Sequence, residues 1–300
     1  MTSIAARSDA ASAHSRGLSD WLLLIVPGAI WGTSFLFIAE GLQAIGPSGV
    51  TFVRILVGFL TLGLFPAARR AIPREDWGGL ALLGLIWLAF PLSMFPFAEQ
   101  RVSSALTGML NGTIPLFTAT VEAFHSRRVP PRGVLVGLAI GMLGAVLMAW
   151  PSFYEGHSSA IGVLLILAAV ICYGFVLPIA VPLQQRHGAL AVIWRAQAVA
   201  LVLTAPLGLP DLLAANWTPA PLLSLLALGA FGTAIAYVVL TISAARVGPT
   251  RASATTFLIP GVSLVLGIAV RGEHVAALSV LGAIVCVAGA VLMRRARAQH

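Results

Sequence analysis

The run RVGPTRASATTFLIPGVSLVLGIAVRGEHVAALSVLGAIVCVAGAVLM, residues 246–293, decides the fold, because its landmarks have already occurred in RVSSALTGMLNGTIPLFTATVEAFHSRRVPPRGVLVGLAIGMLGAVLM, residues 101–148. Sliding one onto the other by 145 positions makes ten residues coincide. Arg101 falls on Arg246, Val102 on Val247, Ile114 on Ile259, Pro115 on Pro260 and Gly137 on Gly282, and the block GAVLM at Gly144 to Met148 falls on its copy at Gly289 to Met293. Two unrelated apolar runs share leucines and alanines by chance, but not a loop arginine, a mid-segment proline and a five-residue block in one register. The chain therefore reads as one unit used twice.

Composition names the solvent. With 59% hydrophobic and 9% charged residues and a mean hydropathy of +0.97, a chain of 300 residues cannot present a water-compatible surface, so most of it faces lipid. A net charge of +8 would suggest nucleic acid in a soluble protein, but all 18 basic residues are arginine and they follow the loops, which excludes that partner in favour of membrane topology. Cys172 and Cys286 lie in apolar runs and read as small hydrophobes.

Residues 1–19 are Ala/Ser-rich and read as a disordered cytoplasmic tail. The apolar run after them is too long, and followed by too many others, for a cleaved signal peptide. Runs long enough for a bilayer then suggest ten spans: 20–40, 48–66, 77–97, 103–124, 133–150, 160–181, 189–209, 219–242, 250–270 and 276–293. The expected fold is all-α, integral to the membrane, with a first repeat over 20–150, a periplasmic linker over 151–159 and a second repeat over 160–295. With both termini inside, fourteen loop arginines lie on the cytoplasmic side, and Arg101 and Arg271 lie outside. Five spans per half, an odd number, turn the second copy upside down, so the arrangement is an inverted repeat.

Inverted repeats of this size suit secondary transporters, whose substrate sits near the midplane where helices are broken by Pro or Gly. The symmetry mates Pro115 and Pro260 are candidate helix bends, although proline is frequent in membrane helices in any case. Arg54 and Arg195, matched between the halves, fall inside spans. Each suits either a structural bridge, for Arg54 with Glu40 or Glu99, or capture of a carboxylate by a guanidinium fork. Trp31, Asn111, Tyr173, Gln197, Tyr237 and Thr256 stand roughly mid-span and are candidates to orient a polar solute. The alternative for each is packing or bonding between helices. No carboxylate falls at mid-bilayer, with Glu122 a turn inside its span, which weighs against a proton-coupled exporter of lipophilic cations. No HExxH, Gly-rich phosphate loop or Ser/His/Asp set is present, so neither enzyme chemistry nor a cofactor or metal is expected.

The segments GAFGTAIAYVVL, RVGPTRASATTFLIPGVSLVLGIAVRGE and LGAIVCVAGAVLM, with WGTSF at Trp31 to Phe35, TFVR at Thr51 to Arg54 and LNGTIPLF at Leu110 to Phe117, resemble the EamA-type repeat of the drug/metabolite transporter superfamily. The resemblance covers the chain after residue 19 and is most like the aromatic amino-acid exporters. It implies ten helices as an inverted five-plus-five repeat in a bacterial inner membrane, and export of small metabolites through a cavity lined by helices 1 to 4 and 6 to 9. It places the GAVLM blocks in scaffold. One departure stands out: Gly272 and Glu273 close the second repeat as the family expects, but Arg127 and Arg128 hold the equivalent places in the first. The expected function is export of neutral and aromatic amino acids. Export of other metabolites or drugs, and a non-transporting scaffold or receptor, stand as alternatives. Small residues Gly137, Gly141 and Gly144 form a face fit for close packing, either inside a monomer or between copies, which leaves the oligomeric state open.

Overall fold

The computed structural model describes residues 2–126, 130–155, 157–247 and 253–297. Among the described residues the chain is helical throughout, without strands. Helices α1 (Thr2–Gly41) and α2 (Pro47–Gly63) are followed by α3 (Trp77–Leu83), which passes through a π-helical segment, Gly84–Ala89, into α4 (Phe90–Glu99). Next come α5 (Ser104–Asn111), α6 (Ile114–Ser126), α7 (Arg132–Glu155), α8 (His157–Gly174), α9 (Val176–His187) and α10 (Ala189–Leu213). Then α11 (Pro219–Ala227) runs through a second π-helical segment, Leu228–Ile235, into α12 (Ala236–Val247). A 3₁₀ turn, Ser253–Phe257, leads into α13 (Leu258–Arg271), and α14 (Ala277–Arg297) closes the chain. Helix α1 continues back through the Ala/Ser-rich residues that composition reads as a tail.

Five described stretches are long and apolar enough to cross a membrane: Leu22–Gly41, Arg74–Glu99, Arg132–Tyr154, Ala189–Leu213 and Pro219–Arg246. A sixth arises if Ser159–Gly174 and Val176–His187, bent by 43°, form one broken span. Pro47–Gly63, Thr255–Arg271 and Ala277–Met293 are apolar but shorter. Residues 103–124 read from sequence as one span. They form two short helices instead, because the chain turns at Gly112 and Thr113. The exterior is apolar, with Val202, Leu207, Leu223, Val265 and Ile284 exposed, while Ile38, Ile55, Leu88, Met109 and Ile166 are fully buried. That is the inside-out economy of a protein dissolved in lipid.

Each GAVLM block meets the glycine-bearing turns that precede the other block. A Cβ on Gly137 would strike the Gly289 carbonyl and the Met293 amide of α14, and one on Gly282 would strike the Gly144 carbonyl and the Met148 amide of α7. Likewise Gly144 faces the Cys286 amide, and Gly289 faces the Gly141 amide. Each contact has its mate under the 145-residue shift, and residues early in one helix meet residues late in the other. Helices α7 and α14 therefore cross antiparallel through a reciprocal face of small residues, where the absence of side chains lets the backbones touch. The small-residue face of α7 is thus used inside the chain, and Ser279 Oγ donates to the Met148 carbonyl at 2.8 Å across the same seam.

Two carboxylates also tie elements together. Asp211, in the last turn of α10, accepts the Gly49 amide at the start of α2 at 3.0 Å. Glu273 follows Gly272, whose left-handed backbone (φ 63) ends α13 and swings the chain back. Its Oε1 accepts from the Ser104 amide (3.0 Å) and hydroxyl (2.7 Å), and its Oε2 from the Ala105 amide (2.9 Å). The closing Gly-Glu of the second half therefore caps a helix of the first. The equivalent Arg127 and Arg128 lie outside the described residues.

Candidate functional site

The two π-helical segments, Gly84–Ala89 and Leu228–Ile235, start within one residue of matching places. Gly84 and Gly229 are 145 positions apart in the sequence, and both are covered by a valine and a backbone carbonyl of a neighbouring helix. A Cβ on Gly229 would meet Val57 and the Arg54 carbonyl of α2, and one on Gly84 would meet Val199 and the Ala196 carbonyl of α10. The structural counterpart of Arg54 is therefore Ala196. Arg195, its sequence match, falls one residue short, and one residue on an α-helix is a turn of about 100°.

That rotation separates the two arginines. Arg54 is turned inward and is 7% exposed. Its Nε donates to Thr233 Oγ1 at 2.9 Å, the one hydrogen bond the described residues give it, so the two terminal amino groups of its fork are unspent. Arg195 is turned to the helix end, where it donates to the Arg70 carbonyl at 3.1 Å and lies 4.5 Å over the ring of Trp194. Arg195 thus holds the loop after α2, with its Nη1 buried and without a hydrogen-bond partner among the described residues.

Thr233, in the second π-helical segment, organises the centre. Its hydroxyl accepts from Arg54 and donates to the Leu228 carbonyl five residues back at 3.2 Å, and its carbonyl accepts from Gln197 Nε2 at 2.6 Å. The neighbouring Gly232 carbonyl takes the indole N–H of Trp31 at 3.0 Å. A π-helical turn misaligns successive carbonyls from the helical ladder, and here they serve side chains of α1 and α10.

Aromatic rings stand around this hub. Trp31 and Trp87 each meet Tyr237 edge to face, with centroids at 5.6 and 5.5 Å. A second group joins Phe35 to Phe95 (5.6 Å) and Phe95 to Tyr173 (6.3 Å). Arg54 stands within electrostatic reach of both Tyr173 and Tyr237, and of Glu99. It forms no bridge with Glu40, which instead meets Arg271 at 3.2 Å. Of the residues picked from sequence, Trp31, Tyr237, Gln197 and Arg54 are thus brought together, with Tyr173 in the adjoining ring group. Gln197 is fully buried and Asn111 is 7% exposed, and the Oε1 of one and the Oδ1 of the other have no hydrogen-bond donor.

Asn111 is the last residue of α5, next to Gly112, where a Cβ would strike the ring of Pro260. Thr256 lies on the 3₁₀ turn before α13, beside Thr255, whose hydroxyl donates to the Leu24 carbonyl of α1 at 2.8 Å. Pro115 stands in the first turn of α6, where no amide partner is needed, after the turn at Gly112 and Thr113; Pro260 stands in the first turn of α13, where the 3₁₀ turn runs without a gap into the α-helix.

The end of the bundle that carries Arg101 and Arg271 opens into a polar cavity of about 410 Å³, bordered by Glu99, Arg101, Ser103, Glu273, His274 and Ser279, among others. Glu99 ends α4, and both its carboxylate oxygens are buried with no donor among the described residues. The sequence places it near a span end and names it only as a bridge for Arg54. Thr233, Trp87 and Phe95 are the central residues that sequence reasoning leaves out. For Thr233 the GAFGT run of glycines was the available signal.

The profile of the EamA-like transporter family matches residues 19–150 and again 160–295. The chain is 26% identical to an uncharacterized transporter, YdfC, of Bacillus subtilis over 87% of this chain and 86% of that protein. It is 25% identical to a probable terminal-alkyne amino-acid exporter of Streptantibioticus cattleyicolor over 91% and 92%, and 28% identical to an uncharacterized inner membrane transporter, YedA, of Escherichia coli K12 over 88% and 87%. A solved crystal structure, 18% identical, superposes with a TM-score of 0.62 over 91% of this chain and 96% of its own, and shares the fold.

Proposed function

The chain belongs to the EamA-like transporter family, and we propose that this membrane transporter, not an enzyme, exports neutral and aromatic amino acids by alternating access through a central cavity. The observation that carries the reading is complementarity at the centre. The fork of Arg54 has unspent donors suited to a carboxylate. The carbonyl oxygens of Gln197 and Asn111 are buried acceptors without donors, which an ammonium group satisfies. The rings of Trp31, Trp87, Tyr237 and Tyr173 supply surfaces for an aromatic or apolar side chain. A relative named as a probable amino-acid exporter supports the same class. Thr256, on its 3₁₀ turn, and the candidate bends at Pro115 and Pro260 are assigned to the moving boundary of the cavity.

The architecture we assign is ten spans in an inverted five-plus-five repeat, with the short helices and the α5/α6 and α8/α9 pairs as broken spans. Its support is the reciprocal antiparallel contact of α7 with α14 and the matched π-helical segments. Arginine placement orients both termini to the cytoplasm of a bacterial inner membrane.

The test is counterflow in proteoliposomes holding the full chain. Labelled tryptophan, threonine or methionine should exchange faster than in empty vesicles, and Asn111→Ala and Gln197→Ala should lose that exchange without unfolding. If none of the three amino acids exchanges, the substrate class is wrong. Export of other metabolites or drugs is the second reading, favoured by the buried carboxyl of Glu99, and a substrate screen in the same vesicles separates it. A non-transporting scaffold is set aside by family membership.

A further inference from the structure

We propose that Glu99 is the proton site of this carrier, held as the neutral acid in the conformation described and ionised when transport opens it to water, so that export is coupled to proton movement. The coupling rests on the proposed export of amino acids; the protonation of Glu99 does not.

The geometry is specific. Glu99 borders the polar cavity at the Arg101 and Arg271 end, yet both its oxygens are sealed from solvent and accept no hydrogen bond. A carboxylate stripped of water and donors costs several kcal/mol, and the least costly state is the protonated one. None of the charged groups among the described residues donates to it. From α2, Arg54 faces it with its Nε on Thr233 and its two terminal amino groups unspent. From the end of α13, Arg271 faces it but pairs with Glu40 at 3.2 Å and Glu273 at 3.5 Å. Glu273 itself faces it as a like charge, engaged with the start of α5. Arg101 borders the same cavity with its guanidinium on the Phe97 carbonyl at 2.6 Å, and His274 borders it as well.

A sealed acid at the floor of a wet cavity suits alternating exposure. Opening toward the cavity lets a water proton reach the carboxylate oxygen and form the O–H bond. Opening toward the other face breaks that bond and returns the proton to water there. The proton enters and leaves as hydrated proton, and no other reactant is needed.

Two measurements test it. Infrared spectra of the purified full chain in lipid at neutral pH should show a protonated-carboxyl C=O band that disappears in Glu99→Gln. If the band is missing in the wild type, or survives the substitution, Glu99 does not hold the proton and the proposal is overturned. Vesicles loaded with a pH-sensitive dye should then show proton movement driven by an amino-acid gradient. Glu99→Gln should bring that movement to the empty-vesicle level, and Glu99→Asp should restore part of it. Proton movement in Glu99→Gln equal to wild type, or amino-acid exchange in wild type without proton movement, overturns the coupling. Should no amino acid exchange at all, the substrate reading fails, and the infrared band still decides whether Glu99 is the proton site.

Discussion

Replacing Glu273 tests the clamp that joins the two halves at the cavity end. In the native chain its carboxylate receives two backbone N–H groups and one hydroxyl at 2.7 to 3.0 Å at the start of α5, and its side chain is 13% exposed. A hydrogen bond to a charged acceptor contributes about 1.5–3 kcal/mol, but three on one acceptor are not additive. Water from the adjoining cavity can also reach the freed amides. The ion pair with Arg271 at 3.5 Å, near the surface, adds less than about 1 kcal/mol. The net loss for Glu273→Ala is therefore about 3 kcal/mol, about a hundredfold in the folded-to-unfolded ratio. Glu273→Gln has the same shape but turns an NH2 donor toward a backbone donor, so it should lose most of the same amount. Thermal and denaturant unfolding in detergent measure the loss, and hydrogen exchange over residues 104–111 locates it. A Glu273→Gln protein that melts with the wild type and protects α5 equally would refute the reasoning.

The seam of α7 and α14 gives a sharper steric case: Gly144→Ala or Gly282→Ala drives a Cβ into partner backbone and should cost about 3 kcal/mol or more, whereas Gly261→Ala, with nothing within 4 Å of the new carbon, should gain about 0.5–1 kcal/mol by the same unfolding assay. Arg54→Lys keeps the charge but loses the fork and the bond to Thr233, and should abolish counterflow. Arg195→Lys, at a side chain that donates to the Arg70 carbonyl and lies over the Trp194 ring, should leave it in place. Trp31→Phe retains the ring contact with Tyr237 but strands the Gly232 carbonyl, at about 1–3 kcal/mol, visible as a lower melting temperature.

Much of this chain was legible without coordinates. The all-helical membrane class follows from composition, since an apolar backbone in lipid must satisfy its own hydrogen bonds. Close packing through the small-residue face of α7 could be anticipated from the register of Gly137, Gly141 and Gly144, though not its reciprocity with α14. The centre was legible by residue type and not by position. Trp31, Tyr237 and Gln197 do converge, but through the turn at Gly232 and Thr233 and the ring of Trp31, and Thr233 has no distinction in the sequence beyond its place after GAFG. Glu99 was legible only as a bridge for Arg54 near a span end, and whether a helix end is sealed depends on what packs over it.

The arginines show where the division falls. The sequence by itself determined the solvent, the helical class and the repetition of one unit, because these are properties of composition and local pattern. The tertiary structure alone decided that Arg54 reaches the centre and Arg195 does not. A helix's rotation is set by which of its backbone atoms a neighbour can approach, here through Gly229 on α2 and Gly84 on α10. A one-residue difference in that approach turns a side chain through about 100°, and nothing in a linear pattern of apolar residues records it.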